Sequence, residues 1–320
     1  MRTTLRRPVE SKLTSKTDAS VPSPFVRVPA RCLCRCIENK GSPNVPIFRT
    51  LLSGDPMNAE QKKQYQEDGY VIVDDAVDTD MLQPLLDAAR RMKAKVRAGE
   101  VNVFTHWTPE KEPWGIRGIL SPEFNEPIFA EYLLSDSLMK YVEPMLGKEL
   151  RLGGVMLFTT PDEVDWSGGW HRDFGSNERD GAYEVEMEVL NRPNYGLRWH
   201  LALVDDACLQ LVPGSHKRYR TDEERECLLN SRHKDLSTQQ VMDLKAGQTI
   251  FWQGNTVHRG IYNAKPERLS LAGSWRQETE GDEPQKVDER YKWMCADSVR
   301  AFLPKKMHGY YDRWRALQLD

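Results

Sequence analysis

The amino-acid sequence predicts a mainly β protein with flanking helices, in which the strands form a β-sandwich or jelly roll. The prediction rests on many short apolar runs between residues 150 and 275, separated by turns rich in Gly, Pro and Asn. Helical patterns precede and follow these runs, so strands do not alternate with helices as in a parallel α/β sheet. No run approaches the roughly 18–20 apolar residues that a transmembrane helix needs.

Charge is unevenly distributed along the chain. The net charge of -3 over 320 residues argues against nucleic acid as a partner. Residues 1–56, however, hold 10 of the 45 Lys and Arg residues, 4 of the 48 Asp and Glu residues and 7 of the 19 prolines. We therefore expect residues 1–56 to be a disordered basic N-terminal extension and residues 57–320 to be the folded domain. The isolated cysteines of this domain predict a cytoplasmic location, with a mitochondrion or another organelle as the alternative if the extension is a transit peptide.

The elements of the folded domain follow from the spacing of its apolar residues. Helices are predicted at 58–68, 80–98, 128–134 and 138–146, and a short strand at 70–74. Further strands are predicted at 150–160, 183–190, 197–204, 208–212, 239–244, 249–252, 257–262 and 269–275, and helices at 288–302 and 310–319. At 183–190 the glutamates Glu184, Glu186 and Glu188 alternate with apolar residues, which is typical of a strand with one solvated face.

The stretch Trp170-His-Arg-Asp-Phe contains the first candidate site. Residues i and i+2 of a strand share a face, so His171 and Asp173 are expected to converge while Arg172 points away. An imidazole beside a carboxylate supplies two of the three ligands of the 2-His-1-carboxylate triad that binds non-heme Fe(II). A His–Asp hydrogen bond at a strand end is the alternative interpretation of this pair.

A third ligand is expected from a later strand, and His258 in Gly254-Asn-Thr-Val-His-Arg-Gly is the candidate. Arg268 begins the next apolar strand. We expect that strand to run beside the strand of His258 and to place the guanidinium inside the barrel, deeper than the metal. A buried unpaired cation there would require an anion, and the planar guanidinium fork suits a dicarboxylate cosubstrate. A surface ion pair is the alternative for Arg268.

Four elements follow one another along the chain: Gln64-Tyr-Gln-Glu-Asp-Gly-Tyr-Val-Ile-Val-Asp, His171-Arg-Asp173, Leu211-Val-Pro-Gly-Ser-His-Lys217, and His258 followed by Arg268. Together, over roughly residues 58–277, they resemble the phytanoyl-CoA dioxygenase family of Fe(II)/2-oxoglutarate-dependent oxygenases. The resemblance implies a double-stranded β-helix, which is a cupin-like jelly roll with helices packed outside.

The resemblance also implies the chemistry. His171, Asp173 and His258 would be the catalytic metal ligands for Fe(II), and Arg268 would bind the distal carboxylate of 2-oxoglutarate. The implied reaction hydroxylates a small-molecule substrate while 2-oxoglutarate is decarboxylated to succinate and CO2. Related halogenases lack the carboxylate ligand, so the presence of Asp173 favours hydroxylation.

The sequence departs from the family pattern at three places. Arg172 stands where Gln is common, the turn at residues 205–210 is short, and His200 falls about where many members have Trp. His200 is expected to share a strand face with Arg198. The short turn and His200 bear on the substrate pocket and its lid.

Alternatives concern both the ligands and the function. His216 is a further candidate ligand, although its tight Pro-Gly-Ser-His turn favours a structural role, and His106 is expected to be exposed. A cupin-like metal enzyme that does not use 2-oxoglutarate and a non-catalytic binding module of the same fold are the two other functions considered.

Overall fold

The computed structural model describes residues 56–173 and 182–319, so nearly all of the predicted N-terminal extension lies outside the described residues. The helices among the described residues are α1 (Ala59–Glu67), α2 (Thr79–Arg97), α3 (Ile128–Leu133), α4 (Asp136–Leu146), α5 (Tyr183–Leu190), α6 (Asp222–Leu229), α7 (Asp297–Phe302) and α8 (His308–Ala316). Three 3-10 turns lie at Ser215–Lys217, Glu289–Cys295 and Lys305–Met307. No helix in the described part of the chain is long and apolar enough to cross a membrane.

Within residues 56–173 and 182–319 the strands form two antiparallel sheets and one short parallel pair. They are β1 (Tyr70–Val73), β2 (Thr105–Trp107), β3 (Pro113–Ile116), β4 (Leu150–Thr159), β5 (Trp166–Ser167), β6 (Gly196–Ala202), β7 (Leu209–Leu211), β8 (Gln240–Val241), β9 (Thr249–Trp252), β10 (His258–Tyr262), β11 (Leu269–Gln277), β12 (Gln285–Lys286) and β13 (Gln318–Leu319). The larger sheet has the order β1-β9-β6-β11-β4-β3-β2, and the smaller has the order β5-β10-β7-β8. β12 and β13 form the parallel pair.

Strand β6 shows how the larger sheet separates two environments. Trp199 and Leu201 belong to the main hydrophobic core, which includes buried residues of the helices. Ala202, on the opposite face, packs in a second cluster that contains Leu209 and Leu211 of the smaller sheet. Because side chains alternate along a strand, Arg198 and His200 share the face of Ala202 and lie on the side of the smaller sheet. The fold therefore places these polar residues between the two sheets.

Residues 183–190 form helix α5, so the predicted strand is wrong. Tyr183 and Val185 are exposed, whereas Glu186 is buried, which also contradicts a solvated face for Glu186. Glu186 accepts a hydrogen bond from Arg220 Nε at 2.5 Å and lies 3.5 Å from the Arg172 guanidinium. Glu, Met and Leu are good helix formers, which favours a helix here. The ion pairs of buried Glu186 also stabilise the helix, and the alternating sequence pattern does not reveal them.

Most other predicted elements are present, with ends displaced by a few residues. The prediction missed the β2–β3 hairpin and helix α6, where short or mixed apolar patterns give no clear period. The predicted helix at 288–302 is a 3-10 turn followed by α7. Gly69, predicted to end α1, has φ of 84°, a conformation that glycine adopts readily.

Candidate active site

The three predicted metal ligands meet at one point. The backbone N–H groups of His171 and His258 each donate to the other residue's carbonyl at 3.0 Å, and the Asp173 N–H donates to the Gly254 carbonyl at 3.1 Å. One ligand atom from each of His171, Asp173 and His258 can be chosen so that all three lie within 4.8 Å of one another. The backbone pairing of residues 171–173 with His258 and with the turn before β10 therefore brings the His258 side chain to the side that His171 and Asp173 share.

The donor atoms of this cluster fit a divalent metal. His171 Nδ1 lies 2.8 Å from the Gly169 carbonyl, and His258 Nδ1 lies 2.8 Å from the Thr256 carbonyl. A carbonyl oxygen accepts only, so each Nδ1 is the donor in these contacts and each Nε2 is the nitrogen left for a metal. Burial lowers the pKa of His258 to about 3, which keeps its imidazole neutral as a ligand requires.

Asp173 is held by a neighbouring arginine that the sequence analysis left without a role. Arg198 Nη2 lies 2.9 Å from Asp173 Oδ2, and the guanidinium carbon lies 5.6 Å from the centre of the Trp252 ring. Burial opposes ionisation of Asp173, but the Arg198 charge lowers its pKa below the ordinary value. The Trp252 ring also packs edge-on against His258 at 4.5 Å. Arg198 and Trp252 thus orient two members of the cluster.

Arg172 and His216 form structural contacts outside the metal cluster. Arg172 points away from the cluster, as predicted, and donates to the backbone carbonyls of Ser215, Asn255 and Arg218. His216 Nε2 lies 3.2 Å from the Gln66 carbonyl, so His216 connects its turn to the end of α1. The described residues contain one group of three or more potential metal ligands, and His216 is not in it.

Arg268 lies inside the domain, but strand β11 that follows it does not pair with the strand of His258. Strand β11 pairs with β4 and β6 in the larger sheet, whereas β10 belongs to the smaller sheet. The prediction of neighbouring strands is therefore wrong, because the connection from β10 to β11 crosses between the sheets. The guanidinium is nevertheless buried, 4.9 Å from the Phe158 ring centre and 4.7 Å from that of Tyr262.

The Arg268 cation is paired with a carboxylate of the chain itself, which corrects the expectation of an unpaired charge. Asp206 Oδ2 accepts hydrogen bonds from Arg268 Nε at 2.9 Å and Ser270 Oγ at 2.5 Å, and lies 3.0 Å from His200 Nε2. Arg268 Nη1 is buried without a hydrogen-bond partner among the described residues. Asp206 accepts from the Nε edge of the guanidinium. The outer edge, which carries Nη1, can still donate to a second anion.

Sequence reasoning did not identify Asp206 as part of this network. Its signal in the sequence is its place in the short turn at residues 205–210, which bears on the substrate pocket. A cavity of about 220 Å³ adjoins the pair, lined in part by Asp206, Cys208, Ile261 and Arg268.

His106, expected to be exposed, is half-buried in β2 and accepts a hydrogen bond from Arg117 Nε at 2.9 Å.

The Asp206 pair predicts a pH-dependent contribution to stability. Burial opposes its ionisation, but Arg268 and His200 hold the pKa of Asp206 well below its ordinary value. A depressed carboxyl pKa stabilises the fold above the unfolded pKa of about 4, and this contribution is lost as the pH falls below that value. In urea unfolding from pH 7 to pH 2, the stability advantage of wild type over Asp206→Asn should shrink below about pH 4. An advantage that stays constant across this range would contradict the prediction.

Two antiparallel sheets with helices outside and a His-x-Asp…His cluster inside are the arrangement of double-stranded β-helix proteins that bind a mononuclear metal. The chain belongs to the phytanoyl-CoA dioxygenase (PhyH) family, whose sequence profile matches residues 65–265. His171, Asp173 and His258 lie within the matched residues, and Arg268 lies just beyond their end.

Comparison with individual proteins agrees with this assignment. Ectoine dioxygenase from Sphingopyxis alaskensis is 25% identical over 184 residues, which cover 55% of this chain and 56% of that enzyme. The match thus spans little more than half the length of the relative. The crystal structure of EctD from S. alaskensis with 2-oxoglutarate and 5-hydroxyectoine has a TM-score of 0.56 at 23% identity, covering 72% of this chain and 80% of that chain. AviO1 from Streptomyces viridochromogenes Tue57 has a TM-score of 0.52 at 15% identity, covering 69% and 95%. These similarities show that this chain has the predicted double-stranded β-helix fold.

Proposed function

We propose that this protein is an Fe(II)/2-oxoglutarate-dependent dioxygenase that hydroxylates a small molecule. The observation that carries the proposal is the cluster of His171, Asp173 and His258, whose ligand atoms lie within 4.8 Å of one another. Two imidazoles and one carboxylate on one side of a metal leave positions open for other ligands, which is the arrangement that non-heme Fe(II) oxygenases use. EctD of S. alaskensis has been crystallised with bound Fe, and its fold is similar.

The residues around the cluster prepare it for this role. The carbonyls of Gly169 and Thr256 bind Nδ1 of the two imidazoles and leave Nε2 as the nitrogen available to a metal. Arg198 keeps Asp173 ionised and restrains its carboxylate. These contacts reduce the reorganisation that metal binding requires.

Arg268 is the proposed partner of the distal carboxylate of 2-oxoglutarate. The outer edge of its guanidinium carries the buried Nη1, while Asp206 holds the Nε edge and fixes the orientation of the group. His200 lies 3.5 Å from Arg268 Nη2 and borders the same space.

When bound, Fe(II) with 2-oxoglutarate and O2 would supply oxidative decarboxylation to succinate and CO2, with hydroxylation of a substrate C–H bond. The proposal includes a cytoplasmic location, which the isolated positions of Cys208, Cys227 and Cys295 in the sequence support.

A cupin-like metal enzyme that does not use 2-oxoglutarate is the second candidate. One observation favours it, because Asp206 already neutralises the Arg268 cation that would bind the cosubstrate. In that case the cluster would bind a divalent metal, but 2-oxoglutarate would not bind with high affinity.

Succinate release tests the proposal. The full chain, loaded with Fe(II) and supplied with 2-oxoglutarate and O2, should form succinate at a rate that a suitable substrate increases. Removal of iron by a chelator should stop the reaction, and addition of Fe(II) should restore it. Tight metal binding without succinate formation, across a screen of metabolites, would support the second candidate. Absence of metal binding would favour a non-catalytic binding module.

A further inference from the structure

A positively charged surface lies next to the metal cluster. Arg198 contacts Asp173 directly, and Arg117 donates from Nη1 to the Tyr291 hydroxyl at 2.6 Å. The guanidinium carbons of Arg117 and Arg290 lie 5.4 and 5.8 Å from the centre of the same Tyr291 ring. The group comes from three separate parts of the fold: β6, the residue after β3, and the 3-10 turn at Glu289–Cys295.

The negative charges near this surface do not balance the arginines. Arg290 is paired with Asp288 at 2.9 Å, and Arg198 is paired with Asp173. Arg117 donates to two neutral groups, His106 Nε2 and the Tyr291 hydroxyl, and no carboxylate of the described residues forms an ion pair with it. Once Asp173 binds a divalent metal, its charge is shared and the surface becomes more positive.

The charges are close enough to affect one another. Burial lowers the pKa of Arg117, Tyr291 and the Asp288 carboxylate oppose that shift, and the positive charges of Arg290 and Arg198 add to it. Burial, together with Arg117 and Arg290, lowers the pKa of His106 to about 4, so His106 is neutral and accepts the hydrogen bond from Arg117. Cations held together in this way interact favourably with an anionic ligand.

An aromatic surface continues from the arginines. The His106 ring stacks on Trp114 with centroids 4.7 Å apart, and the Trp114 ring lies nearly parallel to Phe158 at 6.5 Å. Trp114 also stacks with Trp166 at 6.3 Å. Trp114 and Trp166 are only partly buried, so their rings still offer apolar surface beside Arg117.

We propose that Arg117 and Arg198 form the substrate subsite and that the substrate is a small organic carboxylate with an apolar body. The carboxylate would accept hydrogen bonds from the two guanidinium groups, and the apolar body would pack against Trp114. This inference rests on the proposed oxygenase function, because it assigns the substrate of the same metal site. It gives Arg198 a second role besides orienting Asp173.

Isothermal titration with a matched pair of probes tests the proposal. The full chain is loaded with Mn(II) in the absence of oxygen, saturated with 2-oxoglutarate, and titrated with benzoate and with benzamide, its uncharged analogue. Saturation with 2-oxoglutarate blocks the Arg268 site, so the probes report on the second anion site. Benzoate should bind about ten- to a hundredfold more tightly than benzamide, the range expected for a charge-assisted hydrogen bond.

Variants then locate the preference. Arg117→Gln should abolish the preference for benzoate, Arg117→Lys should restore part of it, and Arg300→Gln, at an exposed ion pair with Asp312, should leave it unchanged. Equal binding of benzoate and benzamide by wild type, or a preference that survives Arg117→Gln, would overturn the proposal. If 2-oxoglutarate does not bind, the oxygenase function fails instead, and titration of the Mn(II) protein alone still decides whether the anion site exists.

Discussion

Replacing His258 with alanine is expected to lower the affinity for Fe(II) by roughly a hundredfold or more. Even the loss of an outer partner of a metal ligand costs about ten- to a hundredfold in affinity, and His258 would be a ligand itself. The variant also leaves only His171 and Asp173 as protein ligands, and two ligands cannot form the three-ligand face that binds the metal. Anaerobic titration with Fe(II), or with Mn(II) as a stable substitute, measures the change.

His216→Ala is the matched control for this prediction. His216 is also buried, but it contacts the Gln66 carbonyl and lies outside the metal cluster. We expect His216→Ala to lower the melting temperature while leaving metal affinity within about twofold of wild type, because His216 supplies no atom to the metal cluster. Equal losses of metal affinity in His258→Ala and His216→Ala would mean that the third ligand is wrongly assigned.

Replacing Arg268 with lysine should weaken 2-oxoglutarate binding by about ten- to a hundredfold, which corresponds to about 1.5–3 kcal/mol for a charge-assisted pair. Lysine keeps the positive charge next to Asp206 but cannot donate two parallel hydrogen bonds to a second carboxylate. Iron affinity should change little, since Arg268 makes no contact with the metal cluster among the described residues. Titration of the anaerobic Mn(II) protein with 2-oxoglutarate measures the loss.

The choice of lysine follows from the buried pair. Arg268→Ala would leave the Asp206 carboxylate buried without its cation, and such a change destabilises a fold by about 3–5 kcal/mol. Arg90→Lys, at an exposed pair with Glu267, controls for the substitution itself and should leave 2-oxoglutarate affinity unchanged. Unchanged affinity in Arg268→Lys as well would remove the cosubstrate role of Arg268 and favour a metal enzyme without 2-oxoglutarate.

Local spacing in the sequence determined the parts of the site that depend on a single strand or turn. The i, i+2 spacing of His171 and Asp173 predicted that their side chains converge, and Gly69 ends α1 because helix ends favour a positive φ. The short strands and their turns indicated an antiparallel β architecture, and the order of the motifs indicated the family. In each case the decisive interaction lies within a few residues along the chain or in a motif read directly from it.

Only the tertiary structure decided which distant charges meet. Glu186 is buried because Arg172 and Arg220 approach it, and this favours helix α5 over the strand that its alternating pattern indicates. Asp206 neutralises Arg268 because the fold brings the connection between β6 and β7 next to the start of β11. The free energy of a charge depends on burial and on the distance to its partners, and both are properties of the folded chain rather than of any local segment.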